Sequence, residues 1–155
     1  MRSLVVQTSF LGDMVLTTPL LALLAARGPV DVVATPANAG LLANHPAVRR
    51  IIIFDKRGVD RGLAGVWRMA RRVRAGAYDA AFMAQSSLRS GALVRAAGIP
   101  ARVGFAGAAG RVFYTKRVQV APGMHHTERL LALGLALGLD PARPDAQPDA
   151  TRAAV

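Results

Sequence analysis

The sequence contains no cysteine. That excludes a disulfide framework, a zinc knuckle and a thiol nucleophile, and it fits a reducing cytosol. Aromatic residues make up only 5% of the chain, so packing falls to Leu, Val, Ile and Ala. The same scarcity argues against a module that stacks nucleic-acid bases. No GxGxxG follows the first apolar run, and no GxxxxGK followed by Ser or Thr occurs anywhere. A dinucleotide fingerprint and a Walker loop are therefore unsupported. No GxSxG elbow is present. Of the three histidines, His125 and His126 are adjacent, which is not metal-ligand spacing, and no metal is expected. The longest apolar run, 14–26, is interrupted by Thr17-Thr18-Pro19 and is too short to span a bilayer. No signal peptide with a small-residue cleavage site is visible. A cytoplasmic protein is expected.

What is present suits one domain with a proper core: 155 residues, 52% of them hydrophobic. The net charge is +11, and Lys56 and Lys116 are the only lysines. A chain this basic favours anionic partners such as phosphates, nucleic acid or acidic lipid headgroups. Arginine rather than lysine suits bidentate phosphate contacts.

Apolar runs and turn signals alternate along the chain. Strands are predicted over 2–7, 30–35, 48–54, 78–83 and 101–105, with a short sixth over 117–120. Helices are predicted up to Ala26, then over 36–43, 63–74, 89–97 and 125–139. Pro19 offers two readings of the first helix. Either it starts near Asp13 and is kinked, or Thr18 caps it and Pro19 is its first residue. On the 63–74 helix Val66, Trp67, Ala70 and Val73 share a side, and Trp67, Met14 and Met69 are expected in the core. This alternation predicts an α/β fold, a Rossmann-like parallel sheet with helices on both faces, over 1–139. The segment 140–155, with Pro141, Pro144 and Pro148, reads as a Pro/Ala-rich linker or disordered tail.

Polar residues collect where strands end. Thr8, Ser9, Gly12 and Asp13 follow the first strand; Asp55, Lys56, Arg57 and Arg61 follow the third; Gln85, Ser86, Ser87 and Arg89 follow the fourth. In a parallel sheet these loops open on one edge, where ligands of open α/β sheets bind. A carboxylate, hydroxyls and cations on one rim suit a phosphorylated, hydroxyl-rich substrate. Plainer readings stand beside this one. Asp13 is also a good helix N-cap. Thr8 and Ser9 also satisfy turn backbone. Loop cations are also ordinary solvated charge. Arg68, Arg71, Arg72 and Arg74 read as a solvated helix face with weak attraction to anionic membrane.

The opening QTSFLGDMVLTTPLLALL resembles the N-terminus of the bacterial heptosyltransferases of lipopolysaccharide core synthesis, glycosyltransferase family 9. Further similar segments follow in order: YDAAFMAQSSLRS, AGIPARVGF, VFYTKRV and HHTER. Together they cover about 2–138, and the opening looks nearest to the enzymes that add the second heptose. The resemblance implies the N-terminal domain of a GT-B glycosyltransferase. It implies inverting transfer from ADP-L-glycero-D-manno-heptose to the inner core, with Asp13 as general base. Acceptor binding is implied for Thr8, Ser9, Gly12, Lys56, Arg57, Arg61, Gln85, Arg89, His125 and Arg129. The family's H-x-x-E-R maps onto His125, Glu128 and Arg129, with His126 as the competing histidine. No cofactor is implied; ADP-heptose as co-substrate is expected to bind mainly a C-terminal domain missing from this chain. The expected partner is a phosphorylated lipopolysaccharide inner-core acceptor, with peripheral contact to anionic inner membrane and no nucleic acid. The chain is expected to be inactive alone. The other readings are a basic nucleic-acid-binding module and a stand-alone Rossmann-like nucleotide-binding domain.

Overall fold

A computed structural model describes residues 1–9, 11–85 and 87–138. The predicted tail and Leu139 lie outside the described residues. The element order is β1 (Ser3–Gln7), α1 (Leu11–Ala25), β2 (Val30–Ala34), α2 (Pro36–Leu42), β3 (Arg50–Ile53), α3 (Gly62–Arg74), β4 (Ala80–Met83), α4 (Leu88–Ala96), β5 (Ala101–Phe105), β6 (Lys116–Val118) and α5 (His126–Leu135). A 3-10 turn at Arg111–Phe113, which the sequence pattern did not suggest, precedes β6. All strand pairs are parallel, in the order β3-β2-β1-β4-β5-β6.

The central strands β1, β2 and β4 are buried along their whole length. They are covered on both faces, which is why they read as unbroken apolar runs. Helix α1 packs on α5 in one layer, and α3 packs on α4 in the other. Met14, Met69, Phe54 and Phe82 are fully buried, with Leu20, Leu24, Leu93 and Leu130 around them. Trp67 is the exception to the expected core, being 64% exposed. The buried stripe of α3 is Val66, Met69, Ala70 and Val73, spaced 3, 1 and 3 residues apart. Trp67 sits one position, about 100°, off that stripe and turns outward.

Helix α1 follows the first predicted alternative in its start near Asp13, and not the second, since Thr18 and Pro19 lie inside it. It begins at Leu11, ahead of Asp13, and runs unbroken through Pro19 to Ala25. A proline inside a helix leaves the carbonyl four residues back without its donor. Here that carbonyl is Val15 O, and the Thr18 hydroxyl donates to it at 2.8 Å. Thr17 Oγ1 donates one turn back to Asp13 O at 2.7 Å and accepts from Gln7 Nε2 at 3.2 Å. The Thr-Thr-Pro segment thus repairs the helix and ties it to β1.

At the amino-terminal edge of the sheet, Asp31 of β2 is buried. It accepts from Arg49 Nε at 3.0 Å and Nη2 at 2.7 Å, and from the Tyr78 hydroxyl, with Arg50 Nη2 3.5 Å away. Burial alone would raise the Asp31 pKa, but the hydrogen bonds of Arg49 and Tyr78 and the charges of Arg49 and Arg50 hold it below the ordinary value. Burial, followed by the hydrogen bond to Asp31, raises the Tyr78 hydroxyl.

Candidate functional site

The chain leaves β1 through α1 toward β2, and leaves β4 through α4 toward β5. The strand order therefore reverses between the parallel strands β1 and β4, and a crevice opens beyond their carboxyl ends. Its floor is tightly bonded. Gln85 Oε1 accepts from Thr8 N and, at 3.4 Å, from Ser9 Oγ. Gln85 Nε2 donates to Thr8 Oγ1 at 2.6 Å and to Ser90 Oγ at 2.9 Å. Thr8 and Gln85 are buried, and these bonds commit the polar atoms of Gln85 to the protein itself. Both residues fix the distance between the two loops. Ser9 is half-buried, and its carbonyl accepts from the buried Asn38 side chain at 2.9 Å. Ser86 lies outside the described residues. Ser87 is the N-cap of α4, accepting from Ser90 N at 3.3 Å.

Asp13 is the third residue of α1 and not its cap. Its side chain is 34% exposed, and Oδ1 lies 3.6 Å from His126 Nε2. That separation is an ion pair when the ring is protonated. His126 Nε2 is buried and has no hydrogen bond. His125 is the exposed N-cap residue of α5 and makes no side-chain cap bond. Of the two histidines, His126 is the one that meets Asp13. The contact exists because α5 lies close on α1: a Cβ at Gly134 would stand 2.7 Å from Leu23 Cδ2. Glu128 is exposed, and Arg129 places its guanidinium 5.5 Å from the Phe105 ring centre, a cation–π contact at the end of β5. Gly12 has open space where a Cβ would stand. No packing demand explains a glycine there, and the helix backbone beside Asp13 stays open to approach.

The cations come from the β3–α3 loop and the start of α4. The loop closes on itself: Asp60 Oδ2 accepts from Asp55 N at 3.0 Å, and Asp60 N donates to Asp55 O at 2.9 Å. Helix α3 abuts this loop so closely that a Cβ at Gly65 would meet Asp60 O at 1.9 Å. Lys56 reaches across to β1 and donates to Thr8 O at 3.0 Å and to Thr8 Oγ1 at 3.4 Å. Burial, then the charges of Arg57 and Arg89, push its ammonium below the usual lysine pKa. Lys56, Arg57, Arg61, Ser87, Leu88 and Arg89 line an open cleft of about 670 Å³, with no carboxylate among them. A second cleft of about 640 Å³ continues from Lys56 and Arg57, past Asp55, Ser9 and Leu11, to Asn38 and Phe54, so the one carboxylate beside these cations, Asp55, lines this second cleft and not the first. Four cations around one hollow create a positive potential that can attract an anion.

The structure thus joins Lys56, Arg57, Arg61 and Arg89 around one cleft and sets Asp13 on the same rim. Thr8 and Gln85 lie beneath it, and Arg129 sits against Phe105. His126, Asn38 and Ser90 were not singled out with defined contacts from the sequence. Their partners are 113, 29 and 5 residues away, and no local pattern carries such pairings. Among the described residues no group of three His, Cys, Asp or Glu could hold a metal ion.

A family model for glycosyltransferase family 9 (heptosyltransferase) matches residues 66–154. The chain is 34% identical to the lipopolysaccharide heptosyltransferase 1 of Pseudomonas aeruginosa, covering 96% of this chain and 46% of that protein. The solved structure of E. coli heptosyltransferase WaaC with ADP matches at 31% identity and a TM-score of 0.73, over 96% of this chain and 50% of that one. The structure of the E. coli ADP-heptose LPS heptosyltransferase II matches at 26% identity and a TM-score of 0.73, over 96% of this chain and 44% of that one. The chain spans about half the length of the relatives it matches.

Proposed function

The chain belongs to glycosyltransferase family 9, and from that premise we propose that it is the acceptor-binding half of a heptosyltransferase. The reaction proposed for the whole enzyme is inverting transfer of heptose from ADP-L-glycero-D-manno-heptose to the lipopolysaccharide inner core. The observation that carries the acceptor role is the cleft of Lys56, Arg57, Arg61 and Arg89, which holds no carboxylate of its own. A phosphorylated acceptor would supply the missing anion and relieve the repulsion that Lys56 feels.

Asp13 is the proposed base. Its carboxylate takes the proton of the acceptor hydroxyl as that oxygen attacks the anomeric carbon of the donor. The bond to ADP breaks, ADP leaves with the electron pair, and the anomeric configuration inverts. His126 Nε2 stands 3.6 Å from the Asp13 carboxylate on the side of α5. Thr8, Ser9 and Gln85 set the separation of the loops on which these groups stand. The donor is proposed to bind mainly residues outside this chain, which is why the chain is expected to bind acceptor without turning it over. A cytoplasmic location belongs to the same proposal, and the cysteine-free composition is compatible with it without locating the protein.

Calorimetric titration of the chain separates the two substrates. A phosphorylated inner-core acceptor is expected to bind and ADP-heptose is not. Tight binding of ADP-heptose with none of the acceptor would reverse the assignment. In the intact parent enzyme, Asp13→Ala is expected to lower kcat by about 100-fold or more with the fold unchanged. Near-normal turnover would remove Asp13 from the mechanism.

A further inference from the structure

The amines of this chain are the amino terminus and the side chains of Lys56 and Lys116. The terminal amine donates to Arg27 O at 3.0 Å, at the amino-terminal edge of the sheet. Lys116 stands on β6, the outermost strand. Lys56 is placed differently. It is half-buried where the two rim clefts meet, and it lines both. No carboxylate lies within ion-pair distance of it among the described residues. Asp55, next to it in sequence, turns its carboxylate back over Gly58, into the space that a Cβ there would fill.

The surroundings of Lys56 are those that make an amine a nucleophile. Burial and the charges of Arg57 and Arg89 favour its neutral form, the form that carries a lone pair. Its hydrogen bonds go to oxygen atoms, Thr8 O at 3.0 Å and Thr8 Oγ1 at 3.4 Å, so the nitrogen donates hydrogens and keeps the lone pair available. Thr8 is itself fixed by Gln85, whose Nε2 donates to Thr8 Oγ1 at 2.6 Å. The amine is therefore held at one point of the rim. On one side of it stand arginines suited to a phosphate, and on the other the walls formed by Leu11, Pro36 and Ala37.

We propose that Lys56 is a covalent site for phosphorylated aldehydes, with Arg57, Arg61 and Arg89 holding the phosphate and Lys56 forming a Schiff base with the carbonyl carbon. The Nζ lone pair adds to that carbon, and the carbonyl oxygen takes up a proton. The nitrogen loses its protons as the new hydroxyl departs as water, which leaves a carbon–nitrogen double bond. Amine and aldehyde become imine and water, nothing is oxidised or reduced, and hydrolysis reverses the step. The ligand class is an open-chain aldose phosphate or an aromatic aldehyde phosphate, whose carbon skeleton lies in the second cleft. The adduct fills the cleft and competes with the acceptor. The inference rests on the anion-site reading of the rim and goes beyond it. A protonated lysine would bind a phosphorylated acceptor just as well and form no imine.

The test uses pyridoxal phosphate as probe. The chain is treated with limiting probe, the imine is reduced with borohydride to a stable secondary amine, and the labelled peptides are identified by mass. Lys56 is expected to be labelled about tenfold faster than Lys116 or the amino terminus. Pyridoxal, which lacks the phosphate, is expected to label Lys56 about tenfold more slowly than pyridoxal phosphate does. Inorganic pyrophosphate is expected to protect Lys56. The double variant Arg57→Gln, Arg89→Gln is expected to lose about tenfold in labelling rate at Lys56. Lys56→Arg keeps the charge and is expected to lose the rim label altogether. Equal labelling of Lys56 and Lys116, equal rates with pyridoxal and pyridoxal phosphate, or an undiminished rate in the double variant would overturn the proposal. The acceptor titration reads anion binding without an imine, so a failure of labelling leaves it standing.

Discussion

The two ends of this sheet gather the same residue types to opposite effect. At the amino-terminal edge Arg49 and Arg50 close on the buried carboxylate of Asp31, with Tyr78 completing its hydrogen bonds. At the carboxyl rim Lys56, Arg57, Arg61 and Arg89 surround a cleft that has no carboxylate. The first cluster is complete within the chain and contributes to stability. The second has no carboxylate lining its cleft, and under the proposed function a ligand supplies the counter-charge. Basic residues therefore carry little information until the acid that neutralises them has been located.

The comparison breaks most visibly if Asp31 is removed. Asp31→Ala strips two arginines and a buried hydroxyl of their common partner. Arg49 and Arg50 are about half exposed and recover hydration, so the expected loss is about 3 kcal/mol and not the larger value of a fully buried pair. For a chain of this size that is a Tm lower by about 9 °C, read by thermal unfolding. An unchanged Tm would mean that the amino-terminal cluster contributes nothing to stability.

Acidification tests the same cluster by titration. The folded-state pKa of Asp31 is depressed, so its contribution is complete above the unfolded-state value of about 3.9 and is lost as pH falls through the lower folded value. Denaturant midpoints are expected to fall on acidification below about pH 4, and more steeply in the native chain than in Asp31→Asn. Parallel curves would show that the carboxylate is not preferentially stabilised in the folded state.

The smallest effect is expected at the rim. Gly12→Ala meets open space and improves helix propensity, so stability should rise by about 0.5 kcal/mol. Acceptor binding should weaken, because the methyl group stands on the backbone beside Asp13. Gain in stability with unaltered acceptor affinity would assign Gly12 no role in the site.

Much of this architecture is legible in the sequence, because the alternating strands and helices are written in local patterns. The rim was legible for the same reason: strand ends in a parallel sheet share an edge, so Asp13, Lys56 and Gln85 could be placed together before any contact was known. What local pattern does not carry is who pairs with whom. Asp31 and Arg49 are separated by 18 residues, and Asp31 and Tyr78 by 47, so β2 read only as an apolar strand with an acid in it. Gln85 read equally as a structural hydrogen-bonder and as an acceptor contact, and its bonds to Thr8 and Ser90 are side-chain pairings that no local pattern shows. Trp67 read as core because large aromatics usually are, but the narrow buried stripe of α3 was already filled by smaller residues. Pro19 read as a kink or a start because the Thr18 hydroxyl, which replaces the missing donor, is a side-chain effect.

The central claim is that the rim cleft is an anion site because its cations lack an acid. Ser87→Asp supplies one while keeping a good N-cap on α4. The direct measurement is calorimetric titration of a phosphorylated inner-core acceptor into the native chain and into this variant at one salt concentration. The account predicts about tenfold weaker binding in the variant, with stability unchanged or slightly higher. Equal affinity in the two chains would contradict it.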